Sequence, residues 1–165
     1  MTKSTRIAAV IVVALAATAA IAQSDAQKSF TQLKSLTGSW EGKSADGKPL
    51  LVSFRETAGG SAIMSEIQGD HGMISMINMD GPNKLLMTHY CAAGNEPRMR
   101  ASLSPDGKTI TFNFLDATNL ASPNDGHMRK MVLTIQDKDH FSEQWSFRKD
   151  GKDVMHEAFQ YTRKQ

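Results

Sequence analysis

The chain has 165 residues, a length that usually folds around one core. Its 19 Lys and Arg residues stand against 17 Asp and Glu residues. Lys3 and Arg6 lie in a segment that we expect to be removed, and 19 minus these two leaves 17 basic against 17 acidic residues. This balance, with no basic run and no interleaved aromatic residues, gives no indication of nucleic acid as a partner.

Residues 1–22 have the three parts of a cleavable secretory signal peptide. Lys3 and Arg6 form the positive start, residues 7–19 form an apolar stretch, and Ala20-Ile21-Ala22 is a small-x-small cleavage site. The apolar stretch is shorter than the roughly 20 residues that a transmembrane helix needs. We therefore expect cleavage before Gln23, no membrane anchor afterwards, and a single exported domain, residues 23–165, in the periplasm or the medium.

One helix is predicted ahead of the strands, over Asp25–Leu36. Ser24 or Asp25 can cap its first turn, and Phe30, Leu33 and Leu36 recur at helical spacing. We expect this apolar stripe to pack on one end of the main fold.

Turn-forming residues divide the rest of the chain into ten short segments. Some segments alternate apolar and polar residues, as Ile110, Phe112 and Phe114 do on one predicted strand. Ten short strands predict an all-β antiparallel up-and-down sheet, which loses its exposed edges by closing into a barrel. The turn signals are Asp46-Gly47, Gly59-Gly60, Gly69 to Gly72, Asp80 to Asn83, Ala93 to Asn95, Pro105 to Gly107, Pro123 to Gly126, Asp137 to Asp139 and Lys149 to Gly151.

A Gly-x-Trp sequence, Gly38-Ser39-Trp40, opens the first predicted strand directly after the helix. With ten strands following it, this opening resembles the calycin superfamily, which includes lipocalins, fatty-acid-binding proteins and bacterial lipocalin-like proteins of unknown function. The resemblance implies a barrel that binds a small apolar or amphipathic molecule, with Gly38 and Trp40 as structural residues. It also implies a basic side chain of a late strand over Trp40, with Arg163 as the first candidate and Arg148 as the second.

A methionine-rich run contains His71, Met73, Met76 and Met79. Thioether ligands suit Cu(I), but strand alternation places Met73 and Met79 on the face opposite Met76. We therefore predict core or cavity wall for these methionines, and no metal site.

The segment from Met87 to Met99 holds the largest group of reactive side chains. Met87, His89 and Cys91 share one face of a predicted strand, and the turn that follows brings Arg98 and Met99 back beside it. We predict that these five residues line a mostly apolar cavity. The lone Cys91 excludes an intramolecular disulfide, and we expect it to be buried.

Two later residues complete the predicted ligand site. His127 follows the longest predicted loop, Asp116–Gly126, which we expect to cover the cavity opening. Glu143 shares a strand face with apolar residues, so its carboxylate needs a partner. Arg98 is a candidate for that partner, and it is equally a candidate for binding the acid group of a ligand.

Binding without catalysis and without a cofactor is the leading hypothesis, with two alternatives. The Gly38-Ser39-Trp40-Glu41-Gly42 run and the late histidine His156 resemble nitrobindins, ten-stranded barrels of this kind, and that resemblance implies haem with His156 as its axial ligand. The second alternative is a hydrolase in which His89 activates Cys91. His89 can also be a core histidine satisfied by a backbone group or water.

Overall fold

A computed structural model describes residues 22–43, 47–69 and 72–165. Residues 1–21, which carry most of the predicted signal peptide, lie outside the described residues, and so does His71. The described ranges form one α-helix, α1 (Asp25–Ser35), one 3-10 turn (Ala58–Gly60) and ten strands. These are β1 (Gly38–Lys43), β2 (Pro49–Thr57), β3 (Ala62–Gln68), β4 (Met73–Met79), β5 (Leu85–Tyr90), β6 (Glu96–Leu103), β7 (Thr109–Thr118), β8 (His127–Ile135), β9 (His140–Lys149) and β10 (Lys152–Arg163).

The strands form a closed antiparallel barrel in which each strand pairs with its neighbours in sequence. β1 and β10 close the ring, with Trp40 opposite Arg163. The prediction of an all-β, ten-stranded up-and-down barrel with one N-terminal helix is therefore confirmed.

Helix α1 begins as predicted, because Ser24 and Gln27 form a reciprocal capping box at its first turn. The helix ends at Ser35, one residue earlier than predicted, and Leu36 is its C-cap. Leu33 and Leu36 are fully buried, and the helix covers one end of the barrel against β2, β4, β5 and β6. No helix in the described ranges is long and apolar enough to cross a membrane.

The end of the barrel beneath α1, called the helix end here, holds the contact predicted for Trp40. The Arg163 guanidinium lies 4.1 Å from the centre of the Trp40 ring, and the Trp40 indole N–H donates to the Leu36 carbonyl at 2.7 Å. Arg163 also donates to the carbonyls of Thr37 and Ser35, both at 3.0 Å, so its charge lies at the C-terminus of α1. The predicted pair of Trp40 and Arg163 is present.

Gly38 shows why this first strand opens with glycine. Its φ of 130° lies in a region that side-chain-bearing residues rarely adopt, and a Cβ here would meet Nη1 of Arg163 at 3.1 Å. A larger residue would strain the backbone and displace the guanidinium that lies over Trp40.

Candidate functional site

A cavity of about 230 Å³ lies inside the barrel at the end opposite α1, called the far end here. Its wall is mostly apolar, and Glu157 is the one charged residue among the described residues that line it. The volume is below the range of about 300–1,000 Å³ that is usual for drug-sized ligands, so the cavity suits a smaller molecule. The lining comprises Leu50, Ile67, Gln68, Gly69, Met73, His89, Met128, Trp145, Met155, Glu157 and Phe159.

His89 is the buried polar group of this cavity, with 1% of its surface exposed. It lies near the end of β5 opposite Ser75 of β4, and the Ser75 Oγ is 2.9 Å from its Nδ1. Its other ring nitrogen, Nε2, is buried and has no hydrogen-bond partner among the described residues. Burial lowers the pKa of His89 to about 4, so the imidazole is neutral near pH 7.

Trp145 joins His89 to a buried carboxyl group. The ring centroids of His89 and Trp145 are 4.7 Å apart, and the indole N–H donates to Oε2 of Glu143 at 3.0 Å. Glu143 is 2% exposed, and burial raises its pKa to about 7, while the Trp145 hydrogen bond acts in the opposite direction. No basic side chain in the described ranges forms an ion pair with it.

Met87 and Met99 lie inside the barrel, as alternation predicts, but not on the cavity wall. Both are fully buried, and they occupy opposite positions on β5 and β6. Their methyl groups belong to the packed core. Two other methionines, Met128 and Met155, line the cavity together with Met73.

Cys91 is half-buried just after β5, where it packs against the core, and it does not line the cavity. Ser75 occupies one ring nitrogen of His89 and the other has no partner, so the structure shows no hydrogen bond between His89 and Cys91. Burial raises the pKa of the Cys91 thiol, while the hydrogen bond to the backbone of Ala93 lowers it. This geometry does not supply the activated thiolate that the hydrolase alternative needs.

The predicted position of Arg98 is wrong. Adjacent residues of a strand point to opposite faces, and Met99 points inward, so Arg98 points outward. Its side chain is 54% exposed and binds both carboxylate oxygens of Asp116, its cross-strand neighbour, at 2.6 and 2.5 Å. Arg98 therefore neither lines the cavity nor pairs with Glu143.

The predicted loop also differs from the structure, because β7 continues to Thr118 and the connection spans only residues 119–126. Leu120 and Pro123 of this connection line a separate surface groove with His127. The His127 ring is 4.4 Å from Phe114 and its Nδ1 is 2.8 Å from the Asp125 carbonyl. The predictions that this loop covers the cavity and that His127 lines it are wrong.

His156 is exposed on the outer face of β10, where its Nδ1 is 3.1 Å from the Ser146 hydroxyl. It alternates with Met155 and Glu157, which face the cavity. His156 therefore cannot serve as the axial ligand of a group inside the barrel. In the described ranges, no three His, Cys, Asp or Glu side chains gather closely enough to hold a metal ion.

Several residues in and next to the cavity were not among the predicted site residues. Ser75, the hydrogen-bond partner of His89, shares the inward face of β4 with Met73, and the alternation noted for the methionines would have identified it. Leu50 of β2 and the two β10 residues Glu157 and Phe159 come together on either side of β1 through the closure of the barrel, which no local pattern specifies.

The fold is similar to that of solved protein structures. No protein-family model matches this chain, and no curated protein matches it. The crystal structure of Rv2717c from M. tuberculosis is similar with a TM-score of 0.58 and 17% identity, over 82% of this chain and 97% of that one.

A second similar structure is a protein with unknown function from the DUF3598 family of Nostoc punctiforme PCC 73102, with a TM-score of 0.55 and 12% identity. The match covers 81% of this chain but 49% of that one, so this chain spans about half its length. Likeness at these identities shows the barrel fold alone.

Proposed function

We propose that this protein binds a small, mostly apolar molecule in the far-end cavity and does not transform it. One observation carries the proposal: His89 lines an apolar cavity, and its buried Nε2 has no hydrogen-bond partner among the described residues. A buried polar atom without a partner costs about 1–3 kcal/mol. A molecule that fills the cavity and bonds to this nitrogen removes that cost.

The barrel supports the same proposal at a coarser level. A closed ten-stranded barrel with a Gly-x-Trp opening and a basic residue over the tryptophan resembles calycins, in which such a barrel encloses a ligand. Together with the predicted signal peptide, this resemblance makes the protein an exported, calycin-like binding protein in our proposal. The adaptable side chains of Met73, Met128 and Met155 would let the cavity wall adjust to its ligand.

No observation favours the haem alternative over this proposal. His156 lies outside the barrel, and a cavity of about 230 Å³ suits a molecule much smaller than a porphyrin.

The test of this proposal fills the cavity and uses a neighbouring exposed residue as its control. Met155 lines the cavity, whereas Val154 beside it is 60% exposed. The purified wild type and the variants Met155→Trp and Val154→Trp would be examined by thermal shift with a panel of cyclic hydrocarbons, ketones, alcohols and carboxylic acids. Native mass spectrometry of the wild type would report any molecule retained from the host.

We expect compounds that stabilise the wild type to stabilise Val154→Trp equally and to have no effect on Met155→Trp. The proposal is wrong if no compound binds the wild type and none is retained. It is also wrong if Met155→Trp binds as well as the wild type, because binding would then lie elsewhere.

A further inference from the structure

The hydroxyl of Ser75 determines which nitrogen of His89 carries a proton. Ser75 is 5% exposed, and His89 Nδ1 is its hydrogen-bond partner among the described residues. If Nδ1 carried the proton, the serine hydrogen and the lone pair of Nε2 would both be buried without partners. If the serine hydroxyl donates to Nδ1, the unpaired atom is Nε2–H alone. The second arrangement leaves fewer buried polar groups unsatisfied, so Nε2 is a hydrogen-bond donor.

The neutral state of the ring agrees with this assignment, because burial lowers the pKa of His89 to about 4. His89 lines the cavity, so its Nε2–H is an uncharged donor at the cavity wall that needs an acceptor. It is held in place by Ser75 on one side and by the Trp145 ring on the other.

The charges around the cavity oppose an anionic ligand. Glu157 is acidic, and no Lys or Arg occurs among the described residues that line the cavity. Glu143 lies behind the Trp145 ring, to which it is hydrogen-bonded, and adds a second carboxyl group on that side. A ligand carboxylate would lose its hydration here without gaining a cation, which is strongly unfavourable.

We infer that the ligand is an uncharged, mostly apolar molecule with one carbonyl oxygen, which accepts a hydrogen bond from His89 Nε2, and that the cavity rejects carboxylates of the same size. This inference rests on the proposed function and specifies the ligand class of the same cavity. A cavity of about 150 Å³ is known to hold benzene, so about 230 Å³ accommodates a six-membered ring with a short substituent.

Three probes of nearly equal shape test the inference: acetylcyclohexane, isopropylcyclohexane and cyclohexanecarboxylate. Their affinities for the full protein would be measured by calorimetric titration near neutral pH. The nitrogen chemical shifts of His89, measured by NMR without any probe, would report the tautomer independently of binding.

We expect the ketone to bind about tenfold more tightly than the hydrocarbon, the effect of one hydrogen bond, and the carboxylate not to bind. His89→Phe should lower the ketone affinity to that of the hydrocarbon. Ser75→Ala should reduce the preference for the ketone, because it frees Nδ1 and allows both tautomers. If His89→Phe does not fold, the Ser75→Ala titrations and the wild-type tautomer decide.

A proton on Nδ1 in the wild type would overturn the inference. So would a carboxylate that binds as tightly as the ketone, or a ketone preference that survives both substitutions. In these cases binding of the hydrocarbon or the acid would leave the proposed function standing. Failure of all three probes and of the wider panel would refute the proposed function as well.

Discussion

Replacing Glu143 by glutamine should change how the stability of the protein depends on pH. Burial raises the pKa of Glu143 from 4.5 to about 7. The folded protein therefore holds this proton more tightly than the unfolded chain, and the resulting stabilisation is complete below pH 4.5 and is lost as the pH rises through 7. A pKa difference of this size corresponds to about 3 kcal/mol in total.

Glutamine resembles the protonated acid and can still accept the hydrogen bond of the Trp145 indole, but it does not ionise. We therefore expect the difference in unfolding free energy between Glu143→Gln and the wild type to grow by about 2 kcal/mol, in favour of the variant, from about pH 5 to about pH 8. His89 acts in the opposite direction, because its pKa is lowered. Both proteins retain His89, so its contribution cancels in the difference.

The assay is urea unfolding at several pH values. The matched control is Glu41→Gln, which makes the same change at an exposed glutamate. The control should follow the wild type at every pH. Parallel profiles for Glu143→Gln and the wild type would refute the reasoning, because they would mean that Glu143 ionises as readily in the barrel as in the unfolded chain.

Three further predictions concern the stability of the barrel, the position of Arg98 outside the site and the removal of the signal peptide. Arg163→Met should lower the unfolding free energy by about 2 kcal/mol or more, because Arg163 donates to three carbonyls and lies over Trp40. Arg148→Met should lower it by less, and an equal loss of unfolding free energy in the two variants would contradict this role of Arg163. Arg98→Ala should leave the affinity for the cavity ligand unchanged in titrations, and a clear loss of affinity would mean that Arg98 contributes to the binding site. Intact mass of protein exported from a bacterial host should correspond to a chain that begins at Gln23, and an unprocessed mass would contradict the predicted signal peptide.

The barrel was predictable because its signals are local. Glycine-containing turns recur between short alternating segments, and ten antiparallel strands have few alternatives to closure. Alternation alone placed Met87 and His89 on one face of a strand, and short-range chemistry determines that outcome. The contact of Trp40 with Arg163 joins the first and last strands, and it was implied by the resemblance of Gly38-Ser39-Trp40 to the calycin opening.

The site was less predictable because it depends on register between distant strands. The partner of Arg98 is Asp116, which reaches it through the pairing of β6 with β7 and a bulge next to Arg98. Alternation could have shown that Arg98 and Met99 do not share a face. The location of the cavity depends on how far bulky side chains such as Phe112 and Tyr161 fill the barrel from the helix end, and no sequence pattern reports that.

Methionine methyl NMR during titration with acetylcyclohexane tests most directly whether the far-end cavity binds a ligand. The signals of Met73, Met128 and Met155, which line the cavity, should shift with one common affinity. Met64, which lies near Arg55, should not shift. A titration in which no cavity methionine responds, or in which Met64 responds as strongly as they do, would contradict binding in the cavity beside His89.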